Sequence, residues 1–201
     1  MTLPCPTARR GNPLTDRRHE FEAAALPHLS AAYNLARWLL RDEQSAEDVV
    51  QEAYLRAFRF FNDLRGSSAR PWVLGIVRNA CYDWMRQHRH VDDQFEFDEM
   101  RDSEEAAASQ PLASADPASI FERRAQGARV NAAIQALAPP FREVIVLREI
   151  EEMSYEEIAR VAGIPVGTVM SRLSRARASL RQLLAGEVVA ANHSRRHDGN
   201  V

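Results

Sequence analysis

The chain has 201 residues, enough for one large domain or for two small ones with modest hydrophobic cores. A net charge of −2 excludes a uniformly basic protein, so any attraction to nucleic acid must come from locally segregated charge. The 26 basic residues are all arginine, which indicates a GC-rich coding sequence more than a particular chemistry.

Several function classes are disfavoured by what the sequence lacks. Cys5 and Cys81 are the only cysteines, and they have neither the close spacing of a zinc site nor the number of a disulfide framework. No apolar run approaches the length of a membrane span, and the N-terminus has no apolar signal core. No phosphate loop, nucleophile motif or supported histidine pair is present. We therefore predict a soluble cytoplasmic protein that is not an enzyme and holds no metal or cofactor.

The first predicted element is a disordered arm over residues 1–18, followed by a helical domain over 19–91. Within this domain SAEDVVQEAYLRAFRFF winds into a helix that Ser45 would cap. Its predicted inner face is largely apolar and comprises Ala46, Val50, Ala53, Tyr54, Ala57 and Phe61. Its outer face sets one apolar residue among polar ones: Asp48, Gln51, Glu52, Leu55, Arg56 and Arg59. Two interpretations stay open, a docking surface for a partner helix and a plain amphipathic helix that exposes one leucine.

The next segment, RGSSARPWVLGIVRNACYDWMRQHRH, also predicts a two-sided helix. One side is apolar, with Trp72, Val73, Ile76, Ala80 and Trp84, and we expect both tryptophans in the core. The other side interleaves arginine with an aromatic ring, a pattern that suits single-stranded DNA, and carries Arg78, Tyr82, Met85, Arg86 and Arg89. The preceding loop, Arg65 to Ser68, would form either a pocket for an extruded base or an ordinary polar connection.

A composition change then separates two halves of the chain. Residues 92–105 hold eight acidic residues against one arginine, and the following stretch is rich in Ala, Ser and Pro. Such a segment cannot bury much apolar surface, so 92–119 is predicted to be a flexible acidic linker. A second helical domain is predicted over 120–185 and a polar, frayed tail over 186–201. With no alternating strand pattern, the fold class is all-α, with two small helical domains.

The second domain contains a predicted helix-turn-helix. Ser154 and Glu157 have the spacing of a capping box, in which each side chain accepts a hydrogen bond from the other's backbone N–H. Gly163 suits the left-handed position that ends the first helix, and Pro165 suits the start of the next. Two helices joined by so tight a turn are typical of DNA-binding proteins.

The second helix of this motif sorts its residues onto two faces. The predicted packed stripe is apolar: Val166, Val169, Leu173, Ala176, Leu180 and Leu183. The other side carries small residues, hydroxyls and arginines: Gly167, Thr168, Ser171, Arg172, Ser174, Arg175, Arg177 and Arg181. Hydroxyls allow close approach to base edges, and arginine binds guanine or phosphate, as in a recognition helix. The alternative is a solvated surface helix, although such helices usually mix both signs of charge.

Three stretches, in this order and spacing, resemble bacterial RNA polymerase sigma factors of the extracytoplasmic-function (ECF) group. They are AEDVVQEAYLRAFR at 46–59, LRGSSARPWVLGIVRNACYDWMR at 64–86 and LREIEEMSYEEIARVAGIPVGTVMSRLSRAR at 147–177. The chain departs from the family pattern at Met170, where many relatives carry a basic residue, and at Tyr54 and Leu64. Met170 leaves the promoter sequence open.

The resemblance implies roles for three sets of residues. Core RNA polymerase would be bound by Asp48, Gln51, Glu52 and Leu55. The melted minus-10 element of promoter DNA would be contacted by Arg65, Ser67, Ser68, Arg78, Asn79, Tyr82 and Arg86. The minus-35 duplex would be read by Thr168, Ser171, Arg172, Ser174, Arg175 and Arg177. The resemblance also implies an anti-sigma factor that clamps both domains and hides these surfaces.

Two other classes remain as alternatives. A stand-alone helix-turn-helix regulator would bind duplex DNA without polymerase, normally as a dimer, and would not use the first domain. A sigma-like decoy that sequesters an anti-sigma factor would keep the fold but lose the arginines of the recognition helix, and this chain retains them.

Overall fold

The computed structural model describes residues 13–64, 68–92 and 117–197, and within these ranges all regular structure is helical. The α-helices are α1 Pro13–Ala25, α2 Leu29–Leu40, α3 Glu43–Arg59, α4 Ala69–Asp92, α5 Pro117–Ala136, α6 Pro139–Ile145, α7 Tyr155–Ala162 and α8 Val166–His197. Short 3-10 turns lie at Leu26–His28 and Phe61–Asp63, and a π-helical turn follows α6 at Val146–Ile150. None of the described helices has the length and apolarity needed to cross a bilayer. The all-α prediction is confirmed.

The first domain packs α2, α3 and α4 around alanine-lined contacts. Ala32, Ala36, Ala46 and Ala53 are fully buried, and such small side chains let the helix axes approach closely while the neighbouring leucines and valines fill the remaining space. The predicted inner face of α3 is confirmed in its aliphatic part, since Ala46, Val50, Ala53 and Ala57 are buried. Tyr54 is only half-buried, and its hydroxyl donates to the Ala25 carbonyl.

Helix α1 corrects the prediction of a disordered arm over 1–18, because the helix already begins at Pro13. Two contacts hold it in place. Phe21 is buried against the rings of Tyr54, Phe58 and Phe61, and Arg17 donates to the carbonyls of Phe58 and Arg59 at the end of α3. Residues 1–12 lie outside the described residues.

The start of α3 also differs from the prediction. Arg41 takes a left-handed conformation (φ 63°) that ends α2, and the extended residue Asp42 then caps α3. Its carboxylate accepts a 2.7 Å hydrogen bond from the backbone N–H of Ser45. Ser45, the predicted cap, is therefore already inside the helix. Asp and Ser are both good caps, so composition alone does not choose between them.

The second domain folds around the predicted helix-turn-helix. The Ser154 and Glu157 capping box is present, and Gly163 ends α7 at φ 65°. Pro165 precedes α8, and its carbonyl accepts from the N–H groups of Thr168 and Val169. Helix α8 extends through His197, so the frayed tail predicted over 186–201 is wrong up to that residue. The predicted linker lies outside the described residues except at its two ends, where Asp92 closes α4 and Pro117 opens α5.

The two domains pack directly against each other, which the sequence did not indicate. Helix α4 lies against α7, α2 lies against α6, and the buried side chains of both domains form one continuous hydrophobic cluster. Gly75 of α4 lies so close to α7 that a Cβ there would sit 3.7 Å from the Val161 carbonyl oxygen. The faces of α4 that point toward the second domain are consequently not open surface.

Candidate nucleic-acid and partner interfaces

The first three turns of α8 present an open polar face. Val169, Leu173 and Ala176 are buried, which turns the intervening residues outward. The exposed members of the predicted set are Ser171, Ser174, Arg175 and Arg177, while Thr168 and Arg172 are half-buried. At Gly167 no other part of the described structure lies within 4 Å of the position that a Cβ would take, apart from the neighbouring residues and the backbone of α8 itself, so the helix start is accessible. The face has the shape and chemistry that a DNA major groove accepts.

Two arginines on this helix differ in their surroundings. The Arg177 guanidinium donates to Glu149 at 2.6 Å, and this hydrogen bond raises the pKa of Arg177 against the small effect of burial. Within the described residues, no hydrogen bond or ion pair engages the side chain of Arg175. Arg175 is therefore ready for an external anion, whereas Arg177 is already partly neutralised.

Helix α3 presents the polar surface predicted for a partner. Asp48, Gln51, Glu52 and Leu55 are all exposed on the side away from α2 and α4, and Leu55 is 55% exposed. Gln44 donates to Asp48 and Arg56 donates to Glu52, each one turn away along the helix. One accessible leucine ringed by hydrogen-bonding groups has the chemistry of a helix-docking surface.

The predicted DNA-binding side of α4 is divided by the domain contact. Arg78 donates to Oε1 of Glu143 at 2.8 Å, and the Tyr82 hydroxyl donates to Oε2 of the same carboxylate at 2.8 Å. The Arg78 guanidinium also lies 4.2 Å from the centre of the Tyr82 ring. Asn79 and Arg86 remain exposed.

Of the remaining members of that set, Ser68 precedes α4 and is exposed. Arg86, toward the far end of α4, forms an ion pair with Asp83. Arg65 and Ser67 lie outside the described residues. The structure thus brings Arg78, Asn79 and Tyr82 together within about one turn of α4. Arg78 and Tyr82 are engaged by Glu143, and the Asn79 side chain accepts a hydrogen bond from Arg78.

Burial governs the ionisation of this cluster. It raises the pKa of Tyr82, as does the neighbouring Glu143, so the phenol stays a hydrogen-bond donor. Burial works against the Arg78 cation, but the hydrogen bond and attraction to Glu143 outweigh it and raise the pKa of Arg78. Cys81, which precedes Tyr82 in the chain, is a free buried thiol. Burial raises its pKa to about 12, which makes it unreactive.

The apolar stripe of α4 is wider than predicted. Val73, Leu74, Val77 and Cys81 are buried, whereas Trp72 and Trp84, which we expected in the core, are only half-buried. The buried stripe is wider because α4 packs against its own domain and also against α7, so two adjacent faces of the helix are covered. Trp84 instead stacks on His88 with ring centres 4.1 Å apart.

Three charged residues that the sequence analysis did not single out are buried at the domain contact: Arg142, Glu143 and Glu151. Arg142 donates to the carbonyls of Trp38 and Leu39 in α2 and to those of Gln135 and Leu137 in its own domain. Burial lowers the pKa of Arg142 to about 10, so it remains charged near neutrality.

Glu151 forms the other end of this contact. It accepts from Asn34 of α2 at 3.1 Å and from Arg70 of α4 at 3.1 Å. The segment FREVIVLREI reads as an ordinary amphipathic stretch, and no local signal marks these charges as buried, because their partners lie far away in the chain. Among the described residues, no group of three His, Cys, Asp or Glu side chains is placed to hold a metal ion.

The fold is that of a two-domain helical protein. Its helix-turn-helix has an exposed polar face on α8 that suits the major groove of DNA. Sigma-70 region 2 matches residues 25–91, and Sigma-70, region 4 matches residues 128–180. The chain is 32% identical over 170 residues to the RNA polymerase sigma-H factor of Pseudomonas aeruginosa, covering 83% of this chain and 87% of that protein. It therefore belongs to the sigma-70 family of RNA polymerase sigma factors, in the ECF group.

Two further relatives support this assignment. The ECF RNA polymerase sigma factor SigE of Mycolicibacterium smegmatis is 33% identical over 158 residues, which cover 79% of this chain and 59% of that protein. The co-crystal structure of the sigma factor RpoE in complex with the anti-sigma factor NepR from Bartonella quintana matches with a TM-score of 0.63. That match has 28% identity and covers 85% of this chain and 98% of the RpoE chain. Family membership places the protein among transcription initiation factors, which are not enzymes.

Proposed function

We propose that this protein binds core RNA polymerase through α3 and directs it to promoters by reading minus-35 duplex DNA with α8 and melting the minus-10 element with α4. The observation that carries the proposal is the division of recognition chemistry between two domains of a sigma-70 fold. The exposed hydroxyls and Arg175 lie on α8, and the polar ring around Leu55 lies on α3.

The α8 face supports duplex reading. An α-helix fits the major groove of B-DNA, and serine hydroxyls and arginine are groups that reach base edges and phosphates there. Because the buried stripe of Val169, Leu173 and Ala176 fixes the rotation of α8 against its domain, the same polar residues face outward along successive turns. Such rigid presentation is what sequence-specific reading requires.

The α4 residues support contact with a single strand. Arg78 and Arg86 supply cations for the backbone, Asn79 supplies an amide, and the ring of Tyr82 supplies a surface on which a base stacks. A base lost from the duplex stack would be partly compensated by stacking of about 1–3 kcal/mol per base. The sigma-factor resemblance adds Arg65, Ser67 and Ser68, which precede α4 in the chain, to this set.

The α3 surface favours a sigma factor over a stand-alone regulator. A regulator that acts alone has no need of an exposed leucine within a ring of hydrogen-bonding side chains on its other domain. We further propose that an anti-sigma factor holds the protein inactive, supported by the similarity to RpoE, which was crystallised with the anti-sigma factor NepR. The small inhibitor would be expected to co-purify with this protein from its source.

Reconstituted transcription tests the proposal. Purified core polymerase is incubated with a library of promoter fragments, with and without the protein, and transcript starts are mapped. We expect discrete starts only when the protein is present, and loss of each start when either the upstream duplex element or the downstream melted element is replaced. Duplex binding without core polymerase, together with no discrete start, would favour the stand-alone regulator. Binding to an inhibitor without any start would favour the decoy.

A further inference from the structure

The first three turns of α8 expose one large apolar side chain among small and polar ones. Met170 is 51% exposed, whereas Val169 beside it is fully buried. A single exposed apolar side chain is common on protein surfaces. This one, however, lies near the N-terminus of the helix proposed to enter the major groove, where side chains contact base edges. The other exposed residues of these turns are Gly167, Ser171, Ser174 and Arg175.

We propose that Met170 is a specificity-determining residue, which selects a thymine in the minus-35 duplex by packing its side chain against the C5 methyl group of that base. This role rests on the proposed function, because it assumes that α8 enters the major groove. It adds to the predicted minus-35 set a residue that contributes no hydrogen bond, and it names a base that the upstream element must contain.

Met170 stands clear of the residues above and below it on the helix. Side chains three and four positions apart lie one above the other on an α-helix, so Gly167 and Ser174 flank Met170 along one row. Gly167 has no side chain, and Ser174 is short and exposed. The Met170 side chain therefore reaches further from the helix axis than the rest of its row, with nothing between it and a base edge.

The row formed by Gly167, Met170 and Ser174 carries no charge, so it has no cation with which to hold a phosphate. The neighbouring row contains Ser171 and Arg175, which supply hydrogen-bonding groups and a cation. The two rows differ in chemistry, and contacts to base edges rather than to the backbone suit the row of Met170.

Thymine is the base whose edge fits a methionine side chain. Only thymine presents an apolar group in the major groove, its C5 methyl, while the other bases present donors and acceptors. Methionine has no donor and only a weak acceptor. Placed against guanine, adenine or cytosine, it would displace water without replacing the lost hydrogen bonds, which costs free energy. The flexible, polarizable thioether of Met170 can adapt its shape to the methyl group.

Replacing thymine with deoxyuridine tests the proposal, because deoxyuridine pairs in the same way and lacks only the methyl group. The probe is a labelled promoter duplex that ends upstream of the melted element, with each thymine replaced in turn. Binding of the complex of the full-length protein with core polymerase is measured by fluorescence anisotropy. We expect one replacement to weaken binding about fourfold, the effect of burying one methyl group.

Met170→Ala should bind the unmodified duplex about fourfold more weakly and should no longer respond to deoxyuridine at that position, because both changes remove the same contact. Leu183→Ala is the matched control, since Leu183 is also an exposed apolar residue of α8 but lies more than three turns beyond Met170. This control should keep the full loss with deoxyuridine. An undiminished loss in Met170→Ala would overturn the proposal, as would a wild-type complex that no deoxyuridine weakens.

Two further variants keep the test decisive if Met170→Ala fails to fold by circular dichroism. Met170→Leu retains an apolar side chain and should keep the response to deoxyuridine. Met170→Arg should instead prefer guanine at the same position in selection from randomised duplexes, since arginine binds O6 and N7 of guanine. Retention of thymine by Met170→Arg would contradict the role of Met170.

Transcription by the wild type separates failure of this role from failure of the proposed function. Discrete starts that require the upstream element, combined with no response to deoxyuridine, reject only the role of Met170. Absence of any start with core polymerase rejects the proposed function, and the role of Met170 with it.

Discussion

Helices α4 and α8 both carry arginines that the sequence predicts to contact DNA. The two helices differ in whether those side chains are accessible in the folded protein. On α8 the predicted residues Ser171, Ser174 and Arg175 are exposed, and the packed side is a single stripe. On α4 the predicted residues Arg78 and Tyr82 are bound to Glu143 of the other domain. The difference arises because the described part of α8 packs through the stripe of Val169, Leu173 and Ala176, while α4 packs against its own domain and also against α7.

Local pattern therefore predicts which chemistry a helix carries, and tertiary contact decides whether that chemistry is accessible. The α8 face needs only helical periodicity to be placed outward. The α4 face is closed by residues of α6, in the other half of the chain. A protein can thus hold one DNA-binding surface open and another closed.

The largest expected effect comes from breaking the closed contact at Arg142. In Arg142→Ala, several carbonyls of α2 and α5 lose a charged donor, and hydrogen bonds to charged groups contribute about 1.5–3 kcal/mol each. We expect the free energy of unfolding to fall by at least about 3 kcal/mol in urea denaturation followed by circular dichroism.

The control for Arg142→Ala is Arg175→Ala on the open face. Arg175 is exposed and has no partner among the described residues, so its replacement should change the free energy of unfolding by less than about 0.5 kcal/mol. Similar losses in both variants would show that the buried contact does not stabilise the closed arrangement.

Replacing Arg175 or Arg177 compares two arginines on the exposed face of α8, of which only Arg177 is paired with Glu149. If Arg175 reads a base, Arg175→Ala should weaken binding to the matching duplex by about 1–3 kcal/mol and relax specificity at one base pair. Arg177→Ala should cost less, because Glu149 already neutralises Arg177. Binding of the polymerase complex to promoter duplexes that vary at single positions measures both. An equal loss on every duplex would make Arg175 a phosphate contact.

Replacing Leu55 tests the exposed polar surface of α3, which the contact between the domains does not cover. We expect Leu55→Ser to weaken binding to core polymerase about tenfold, which corresponds to about 1.4 kcal/mol, because the variant removes the apolar centre of the polar ring. Phe60→Ser is the control, since Phe60 is 58% exposed and follows the end of α3. Equal weakening by the two variants, measured by fluorescence titration, would argue against a specific role for Leu55.

The smallest expected effect belongs to the helix-turn-helix cap. Ser154→Ala removes the side chain that accepts from the Glu157 N–H, and loss of such a cap costs about 1 kcal/mol of the free energy of unfolding. Ser171→Ala is the control, because its hydroxyl only donates to the carbonyl one turn back on the exposed face of α8. Thermal unfolding of the two variants would contradict the assignment if Ser171→Ala were the less stable one.

The parts of the fold that sequence predicted are those fixed by neighbouring residues. The capping box of Ser154 and Glu157 and the left-handed Gly163 depend on hydrogen bonds within a few positions. The polar ring around Leu55 likewise follows from helical spacing alone. These features need no knowledge of the rest of the molecule.

The parts that sequence did not predict depend on distant partners. Arg142 bonds to Trp38 across 104 positions, and Glu143 bonds to Arg78 across 65. Residues 13–18, the start of α1, were assigned to an arm because the contact that holds them comes from Arg17, which donates to the last carbonyls of α3. The Asp42 cap was missed for a smaller reason, since two good capping residues lie three positions apart.

The distance between the two domains, measured in the free protein and on core polymerase, shows whether the contact between them opens. Spin labels at Ser30→Cys in α2 and Gln182→Cys in α8 sit on exposed positions, with Cys5→Ser removing a competing thiol. We expect one short, narrow distance distribution in the free protein and a longer one when core polymerase is bound. An unchanged distribution in a complex that initiates transcription would contradict this expectation.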